Sequence, residues 1–316
     1  MIDSLQQLLS LLKPYLRWVI LGGVLFFLAT TLRDHWQEVL EIRISPGGWA
    51  SLSVALGATL LAHIFAGWVW VWTLQVLKQP VAPVGMIQVY LKTTIAKYLP
   101  GNVWHYYGRT GAATQAGAPL EVAMLSVLLE PLLMLAAALV VAALSSAQLI
   151  AGQATMWGMQ CLGLLAVLVG IHPKVLNPAI QVVAMLKTKA KGKAGDRQTS
   201  QVIDRYPLHL LGGELIFLLF RGTGFVAILA GITSISWGQL PLVFSTFSIA
   251  WMLGMVVPGA PGGVGVFETT AIALLGNGFP AGITIAVVAL YRFISILAEA
   301  LAAGLVWLDE RRCDFG

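Results

Sequence analysis

The chain breaks its hydrophobic pattern at two places, KYLPGNVWHYYGR (97–109) and VPGAPGGVGVFE (257–268). In each, a Pro-Gly pair closes a short apolar segment that begins 17 residues earlier, at Pro83 or at Pro241. The two copies are 158 residues apart, half of the 316-residue chain. Lipid cannot satisfy free backbone N–H and C=O groups, so a broken segment at membrane depth must lie inside protein or line a wet cavity. A matched pair of such segments is typical of a transport site.

The rest of the chain is apolar enough to be embedded in a membrane. Hydrophobic residues make up 58% of it and charged residues 10%, whereas a soluble domain carries about 25% charged residues. A helix needs about 20 apolar residues to cross the hydrocarbon core. We expect six such spans, at 16–33, 49–77, 119–147, 153–171, 208–232 and 280–308. The sequence therefore predicts an all-α polytopic membrane protein, with residues 1–316 as a single integral membrane domain.

The two broken regions are predicted to be re-entrant helical hairpins. Each holds two helices that are too short to cross comfortably, at 84–98 with 102–115 and at 241–257 with 264–276. The predicted hairpin turns are Pro100, Gly101, Pro258, Gly259, Gly262 and Gly263. Each half, 1–149 and 150–316, then has three spans and one hairpin. Because three is odd, the halves form an inverted repeat, and we expect the two hairpin tips to meet.

Charge placement orients the predicted spans. The loop 173–206 has two acids against seven basic residues, Lys174, Lys187, Lys189, Lys191, Lys193, Arg197 and Arg205. Cytoplasmic loops collect Lys and Arg, which predicts that both termini are cytoplasmic as well. The net charge of +5 is thus a topological signal. We expect no nucleic-acid partner, because no basic patch is interleaved with exposed aromatic residues.

Ionisable residues in hydrocarbon are costly and are candidate functional groups. Arg109 follows the first Pro-Gly turn, where its planar guanidinium suits the oxygens of a phosphate. Glu268 has the equivalent place after the second turn, where three partners are open to it: Arg109, a headgroup amine or a proton. The further candidates for headgroup binding are Lys97, Glu130 and Arg292. In the alternative interpretation these groups form ion pairs that only fix the helix register.

Two further pairs of charges share a spacing of seven residues. Glu214 and Arg221 lie on one side of the fifth span, and Arg292 and Glu299 on one side of the sixth. Since cations and anions nearly balance, we expect them to pair with one another inside the bundle. The aromatic stretch 104–107 is predicted either to anchor the chain at the membrane interface or to line a cavity.

Several chemistries are missing from the sequence. It has no His or Cys residues at metal-ligand spacing, no nucleophile elbow, no P-loop and no acidic cluster for Mg²⁺. Cys161 and Cys313 have no neighbour at redox spacing. We therefore expect no enzyme activity, no cofactor and no metal ion.

Residues 97–109 and 257–268 resemble the transmembrane region of lysylphosphatidylglycerol synthases and its free-standing relatives, and the resemblance extends over essentially the whole chain. It implies a region that flips aminoacylated phospholipid between leaflets, as ascribed to the larger two-part members. Arg109, Glu268 and the two Pro-Gly turns match polar positions of that family. Those larger members make the lipid in a separate soluble domain. We expect no such domain here, so the resemblance does not imply synthase activity.

Together these inferences predict a phospholipid flippase or scramblase of a bacterial inner membrane. Its substrate would be a lipid with a phosphate-bearing headgroup, either anionic or aminoacylated. Two alternatives remain open at this point: a membrane scaffold or accessory subunit for a separate lipid-modifying or glycosyl-transferring enzyme, and a membrane-embedded transferase. The expected partner is membrane phospholipid, with further copies of the chain or a lipid-modifying enzyme as open alternatives.

Overall fold

The computed structural model describes residues 30, 33, 37, 40, 43–99, 103–146, 154–175, 177–178, 206–257 and 261–314. Within these ranges the regular structure is entirely helical, which confirms the predicted all-α class. The α-helices are α1 (Pro46–Val76), α2 (Pro83–Thr94), α3 (Trp104–Gln115), α4 (Leu120–Ser146), α5 (Ala154–Gly170), α6 (Leu208–Ile232), α7 (Leu240–Val256), α8 (Val266–Leu275) and α9 (Ala281–Asp314). Short 3₁₀ turns occur at Ile95–Tyr98, Trp237–Gln239 and Pro261–Gly263.

Five segments of the described chain are long and apolar enough to cross a membrane: Pro46–Val76, Leu120–Ser145, Leu208–Ile232, Trp237–Val256 and Ala281–Arg311. The protein is therefore a helical membrane protein. The predicted span 16–33 lies outside the described residues except for positions 30 and 33, and the predicted span 153–171 corresponds to the 17-residue α5.

One predicted short helix, 241–257, is longer than expected. A 3₁₀ turn precedes it, so the helical segment has 20 residues, Trp237–Val256. The turn begins with a capping box in which the backbone N–H of Ser236 donates to the side chain of Gln239 over 3.0 Å. Pro241 lies in the first turn of α7, where its missing N–H removes no helical hydrogen bond. The sequence pattern predicts that this apolar segment starts at Pro241, whereas the helical segment begins four residues earlier, at Trp237.

Helices α1 and α6 pack along each other at the centre of the bundle, and small residues let their backbones approach. A Cβ atom on Gly231 would lie 3.1 Å from the carbonyl oxygen of Gly48, and one on Gly224 would lie 3.3 Å from that of Ala55. Helix association in lipid depends on such close packing, because apolar burial gives little driving force there. The seam between α1 and α6 is thus specified by glycines.

The remaining helices pack reciprocally around this seam. The 158-residue offset relates α1 to α6, α2 to α7, α3 to α8 and α4 to α9. Helix α4 packs on α6 and α7, and its counterpart α9 packs on α1 and α2. Each of these contacts therefore has an equivalent in which the two halves are exchanged. An internal repeat predicts this pattern; the opposite orientation of the halves in the membrane stays a prediction.

The two broken elements touch at their turns. A Cβ atom on Gly262 would lie 2.8 Å from the ring of Tyr98, and one on Gly263 would lie 2.9 Å from the carbonyl oxygen of Gly254. Both glycines have left-handed φ angles, 59° and 71°, which only glycine adopts without strain. The other predicted turn residues, Pro100, Gly101, Pro258 and Gly259, lie outside the described residues.

Candidate functional site

A partly enclosed cavity of about 140 Å³ lies where the two broken elements meet α1, α4, α6 and α9. Its lining includes aromatic rings and four basic side chains, Lys97, Arg109, Arg221 and Arg292. Buried cations are costly unless they are paired, so their partners define the site. A larger and more open hollow of about 420 Å³ is lined by Trp72, Gln75, Val76 and His209. Because the larger hollow has no acid, Lys or Arg in its lining, the central cavity is the stronger candidate.

Arg109 is enclosed by four residues, which we name the Arg109 cage: Tyr90, Thr93, Thr94 and Glu130. Its Nη1 donates to Oε2 of Glu130 over 2.8 Å. Its Nη2 donates to the hydroxyl of Thr94 over 3.1 Å, and its Nε to that of Thr93 over 3.3 Å. The guanidinium carbon lies 3.6 Å from the ring centroid of Tyr90, whose hydroxyl donates to Glu130 over 2.6 Å. All three guanidinium nitrogens are thus hydrogen-bonded.

The last turn of α2 prepares the cage. The hydroxyl of Thr93 donates to the carbonyl of Val89 over 2.8 Å, and that of Thr94 to the carbonyl of Tyr90 over 2.7 Å. Since each hydroxyl donates its proton to its own helix, its oxygen lone pairs are left to accept from the guanidinium. The local helix therefore orients two neutral acceptors toward Arg109.

Lys97 has a different acid as its partner. Its Nζ lies 2.6 Å from Oε1 of Glu299 on α9, and Nε2 of His63 on α1 lies 3.2 Å from the same oxygen. The Glu299 side chain is only 1% exposed. This contact joins the turn of the first broken element to two long helices, so the charge of Lys97 is held inside the bundle.

Glu268 bridges the start of α8 and helix α9. It accepts a hydrogen bond from the backbone N–H of Gly265 and another from Nε of Arg292. Nη1 of Arg292 donates to the carbonyl of Gly262 over 3.1 Å. Of the partners that the sequence left open for Glu268, Arg109 is therefore not the one found, because Glu130 already occupies that arginine. Arg292 takes its place.

Arg221 lacks such an acid. Its side chain is buried, and no carboxylate oxygen in the described ranges lies within 4.0 Å of its guanidinium nitrogens, the distance that defines an ion pair. Its Nη2 donates to the hydroxyl of Ser295 over 3.2 Å, while Nε and Nη1 have no hydrogen-bond partner. The guanidinium carbon lies 4.9 Å from the ring centroid of Trp251 and 5.0 Å from that of Tyr291. We name these four residues the Arg221 pocket.

Glu214 is also unpaired, although it lies two helical turns before Arg221. It is fully buried, and neither of its carboxylate oxygens has a hydrogen-bond partner in the described part of the chain. Seven residues of helix span roughly 10 Å, so the two groups are too far apart to pair. The prediction of general pairing is therefore wrong for Glu214 and Arg221.

The structure brings the predicted site residues to one place. Lys97, Arg109, Glu130 and Arg292 line the central cavity, and Glu268 is bonded to Arg292. In the aromatic stretch 104–107, His105 and Tyr106 line the cavity, whereas Trp104 and Tyr107 are exposed. Among the described residues, no group of three His, Cys, Asp or Glu side chains could hold a metal ion.

Sequence reasoning missed several residues of the lining: His63, Tyr90, Trp251 and Tyr291. His63 had a usable signal, because it is an ionisable residue within the apolar span 49–77. The three aromatic residues had none, since a ring in an apolar helix looks the same in sequence whether it faces lipid or a cavity.

The 158-residue offset between the two broken regions also relates residues of the lining to one another. The 158-residue offset pairs His63 with Arg221, Lys97 with Met255, and Met134 with Arg292, and all six line the cavity. Equivalent positions of both halves therefore face the same space. In each pair, however, one half contributes Lys or Arg and the other a residue without a permanent charge.

The chain matches no protein-family model, and a search of curated proteins finds no match either. The resemblance to the lysylphosphatidylglycerol synthase family therefore stays a hypothesis that depends on residues 97–109 and 257–268.

Proposed function

We propose that the protein is a phospholipid flippase or scramblase of a bacterial inner membrane. A phosphate-bearing headgroup enters the central cavity and crosses between the leaflets while its acyl chains stay in lipid. The observation that supports this proposal is the cavity itself, in which four basic side chains gather between two broken elements inside an apolar bundle. Such intramembrane charges are typical of substrate pathways, and helices broken at membrane depth are typical of transporters.

The three ion pairs suit a cavity that alternates between empty and loaded states. In the proposed empty state Glu130, Glu268 and Glu299 neutralise the cations of the cavity. A phosphate that enters can replace a carboxylate at little change in charge. Lys97 and Arg292 have side chains that are 18% and 20% exposed, against 3% for Arg109. We therefore assign the first contact with the headgroup to Lys97 and Arg292, and treat Arg109 as a fixed part of the wall.

The size of the cavity favours a small polar group. Its volume of about 140 Å³ is below the range of roughly 300–1,000 Å³ that is typical of pockets for drug-sized ligands. A phosphate with a compact substituent suits this space better than an oligosaccharide. This favours the transport of a simple phospholipid headgroup.

Two lysines of the first broken element provide a matched test. Lys97 lies in the cavity and pairs with Glu299, whereas Lys92 lies at the surface and pairs with Glu310. We expect purified protein in liposomes to exchange a fluorescent phospholipid between leaflets, measured by quenching of the outer leaflet. K97M should slow this exchange at least about tenfold, the equivalent of losing roughly 1.4 kcal/mol. K92M should leave the rate within about twofold of the wild type.

Two results would contradict the proposal. The first is wild-type protein that is folded, as judged by gel filtration, but does not accelerate lipid exchange over protein-free liposomes. That result would favour the scaffold alternative. The second is an equal loss of exchange in K92M and K97M, because it would show that transport does not depend on the charge inside the cavity.

A further inference from the structure

Arg221, the basic residue of the lining that has no carboxylate partner in the described ranges, indicates which ligand the cavity binds. We infer that Arg221 holds the charge of the ligand, and that this ligand is an anionic phosphodiester headgroup with a single negative charge. This inference rests on the proposed function and narrows its substrate class. Sequence reasoning had left anionic and aminoacylated headgroups open and had not placed Arg221 among the headgroup-binding residues.

The hydrogen-bond donors of Arg221 are available. Nε and Nη1 have no partner although the side chain is only 2% exposed, and an unsatisfied buried donor on a charged group is unfavourable. The oxygens of a phosphate would satisfy these donors with charge-assisted hydrogen bonds. In the Arg109 cage every guanidinium nitrogen already has a partner. Of these two buried arginines, Arg221 is therefore the one with two guanidinium nitrogens that have no protein partner.

The Arg221 pocket positions the guanidinium without using those donors. The rings of Trp251 and Tyr291 attract the cation through their π faces, and they supply no lone-pair acceptor for its N–H groups. The hydroxyl of Ser295 donates to the backbone carbonyl of Tyr291 over 2.7 Å, which leaves its oxygen to accept from Nη2. The pocket is therefore built to orient a cation and to keep part of it unbonded.

The charges of the cavity indicate the charge of the ligand. Lys97, Arg109 and Arg292 each have one carboxylate partner. Arg221 has none within the described ranges: Glu214 is roughly 10 Å before it along α6 and does not line the cavity. One negative charge on the ligand therefore balances Arg221. A phosphodiester carries one such charge, whereas a phosphomonoester carries about 1.5 to 2 at neutral pH.

The same count disfavours an aminoacylated headgroup. A lysyl ester brings ammonium groups into a cavity lined by Glu130, which is already bonded to Arg109, while Glu268 and Glu299 behind the lining are bonded to Arg292 and Lys97. An additional cation beside Arg221 would face like charge, which is unfavourable at a desolvated site. We therefore expect the anionic lipid to bind and its lysyl ester to be rejected.

Binding of short-chain lipids to the purified protein in a neutral detergent tests this inference. The probe is dioctanoyl phosphatidylglycerol, and the readouts are the dissociation constant and the rise in Tm. The comparison ligands are its lysyl ester, dioctanoyl phosphatidic acid, inorganic phosphate and dioctanoyl glycerol. We expect phosphatidylglycerol to bind at least about tenfold more tightly than each of them, a difference of roughly 1.4 kcal/mol.

Substitutions then assign the binding to Arg221. R221M should weaken binding of phosphatidylglycerol at least about tenfold. R221K should weaken it less, because it keeps the charge but loses the planar donor set. R311M is the matched control, since Arg311 is exposed and lies over the ring of Trp307 outside the cavity; it should keep wild-type affinity. If R221M does not fold, wild-type affinity in folded R221K would overturn the inference.

Other outcomes would also overturn it. Unchanged affinity in folded R221M excludes Arg221 as the ligand-binding cation, and tighter binding of the lysyl ester or of phosphatidic acid excludes the single-charge phosphodiester. Inorganic phosphate that binds as tightly as phosphatidylglycerol shows that free phosphate, not lipid, is the ligand. Lipid exchange in liposomes is measured separately. If the wild type exchanges lipid and R221M exchanges it at the same rate, the proposed function stands and the role of Arg221 does not. If binding depends on Arg221 but the wild type exchanges no lipid, only the proposed function is contradicted.

Discussion

Arg109 and Arg221 line the same cavity but differ in how many of their guanidinium nitrogens have hydrogen-bond partners. Both side chains are at most 3% exposed, and both guanidinium groups lie over aromatic rings. The guanidinium in the Arg109 cage has an acid and two hydroxyls, whereas the one in the Arg221 pocket has a single hydroxyl. Burial and ring contacts therefore do not distinguish a structural arginine from one that is free to bind a ligand. The number of satisfied donors does.

The 158-residue offset shows which residues stand where the first half has the Arg109 cage. The 158-residue offset places Trp251 where the first half has Thr93, and Val288 where it has Glu130. A ring thus replaces a hydroxyl acceptor, and an apolar side chain replaces the counter-ion. Arg109 itself corresponds to Phe267, and Arg221 corresponds to His63, so the two arginines do not occupy equivalent positions and only the first half has a cage for a guanidinium at this place.

The largest expected effect separates the two arginines by stability. R109M should destabilise the protein by about 3–5 kcal/mol, because it leaves the buried Glu130 without its cation. R221M should be neutral or stabilising, since it replaces an unpaired buried charge with an apolar side chain of similar length. Reversible unfolding in mixed detergent micelles measures both free energies. An equal loss in the two variants would break the comparison.

Much of the fold was predictable from sequence, because apolar length and Pro-Gly breaks are local signals. Helices α1, α4 and α6 begin and end within a few residues of the predicted spans. The three-dimensional pairing of charges was less accessible. Helical spacing placed Glu214 and Arg221 on one face of α6, but which acid reaches which base depends on how neighbouring helices are rotated. That rotation is set by close contacts, such as the one between Gly48 and Gly231, that a single sequence does not specify.

Two tyrosines, one beside each arginine, allow the same comparison with a smaller expected change in the free energy of unfolding. The hydroxyl of Tyr90 donates to Glu130, whereas that of Tyr291 is buried without a hydrogen-bond partner. Y90F should cost about 1.5–3 kcal/mol, as expected for a hydrogen bond to a charged group. Y291F should change the free energy of unfolding by at most about 0.5 kcal/mol, because no hydrogen bond is lost. The same micelle unfolding assay applies, and a larger cost for Y291F would show that the Tyr291 hydroxyl makes a hydrogen bond in the Arg221 pocket.

The smallest effect is expected outside the cavity. Lys92 and Glu310 form a surface pair, with side chains 37% and 41% exposed. E310Q should cost at most about 1 kcal/mol, as exposed ion pairs usually do, and the difference from wild type should shrink in high salt. E130Q, which changes the acid of the Arg109 cage, should cost more and respond less to salt. Equal salt dependence in both variants would indicate that water reaches the Arg109 cage.

The glycine seam between α1 and α6 limits how the protein can move. Where the two backbones are this close, sliding or rolling of one helix on the other would cause a steric clash. We therefore expect α1 and α6 to move as one unit. His63 and Arg221 are attached to it, one on each helix. Under the proposed flippase function, access to the two leaflets would therefore come from movements of the other helices and the broken elements relative to α1 and α6. The guanidinium of Arg221 would then stay in place while the cavity opens to one leaflet or to the other.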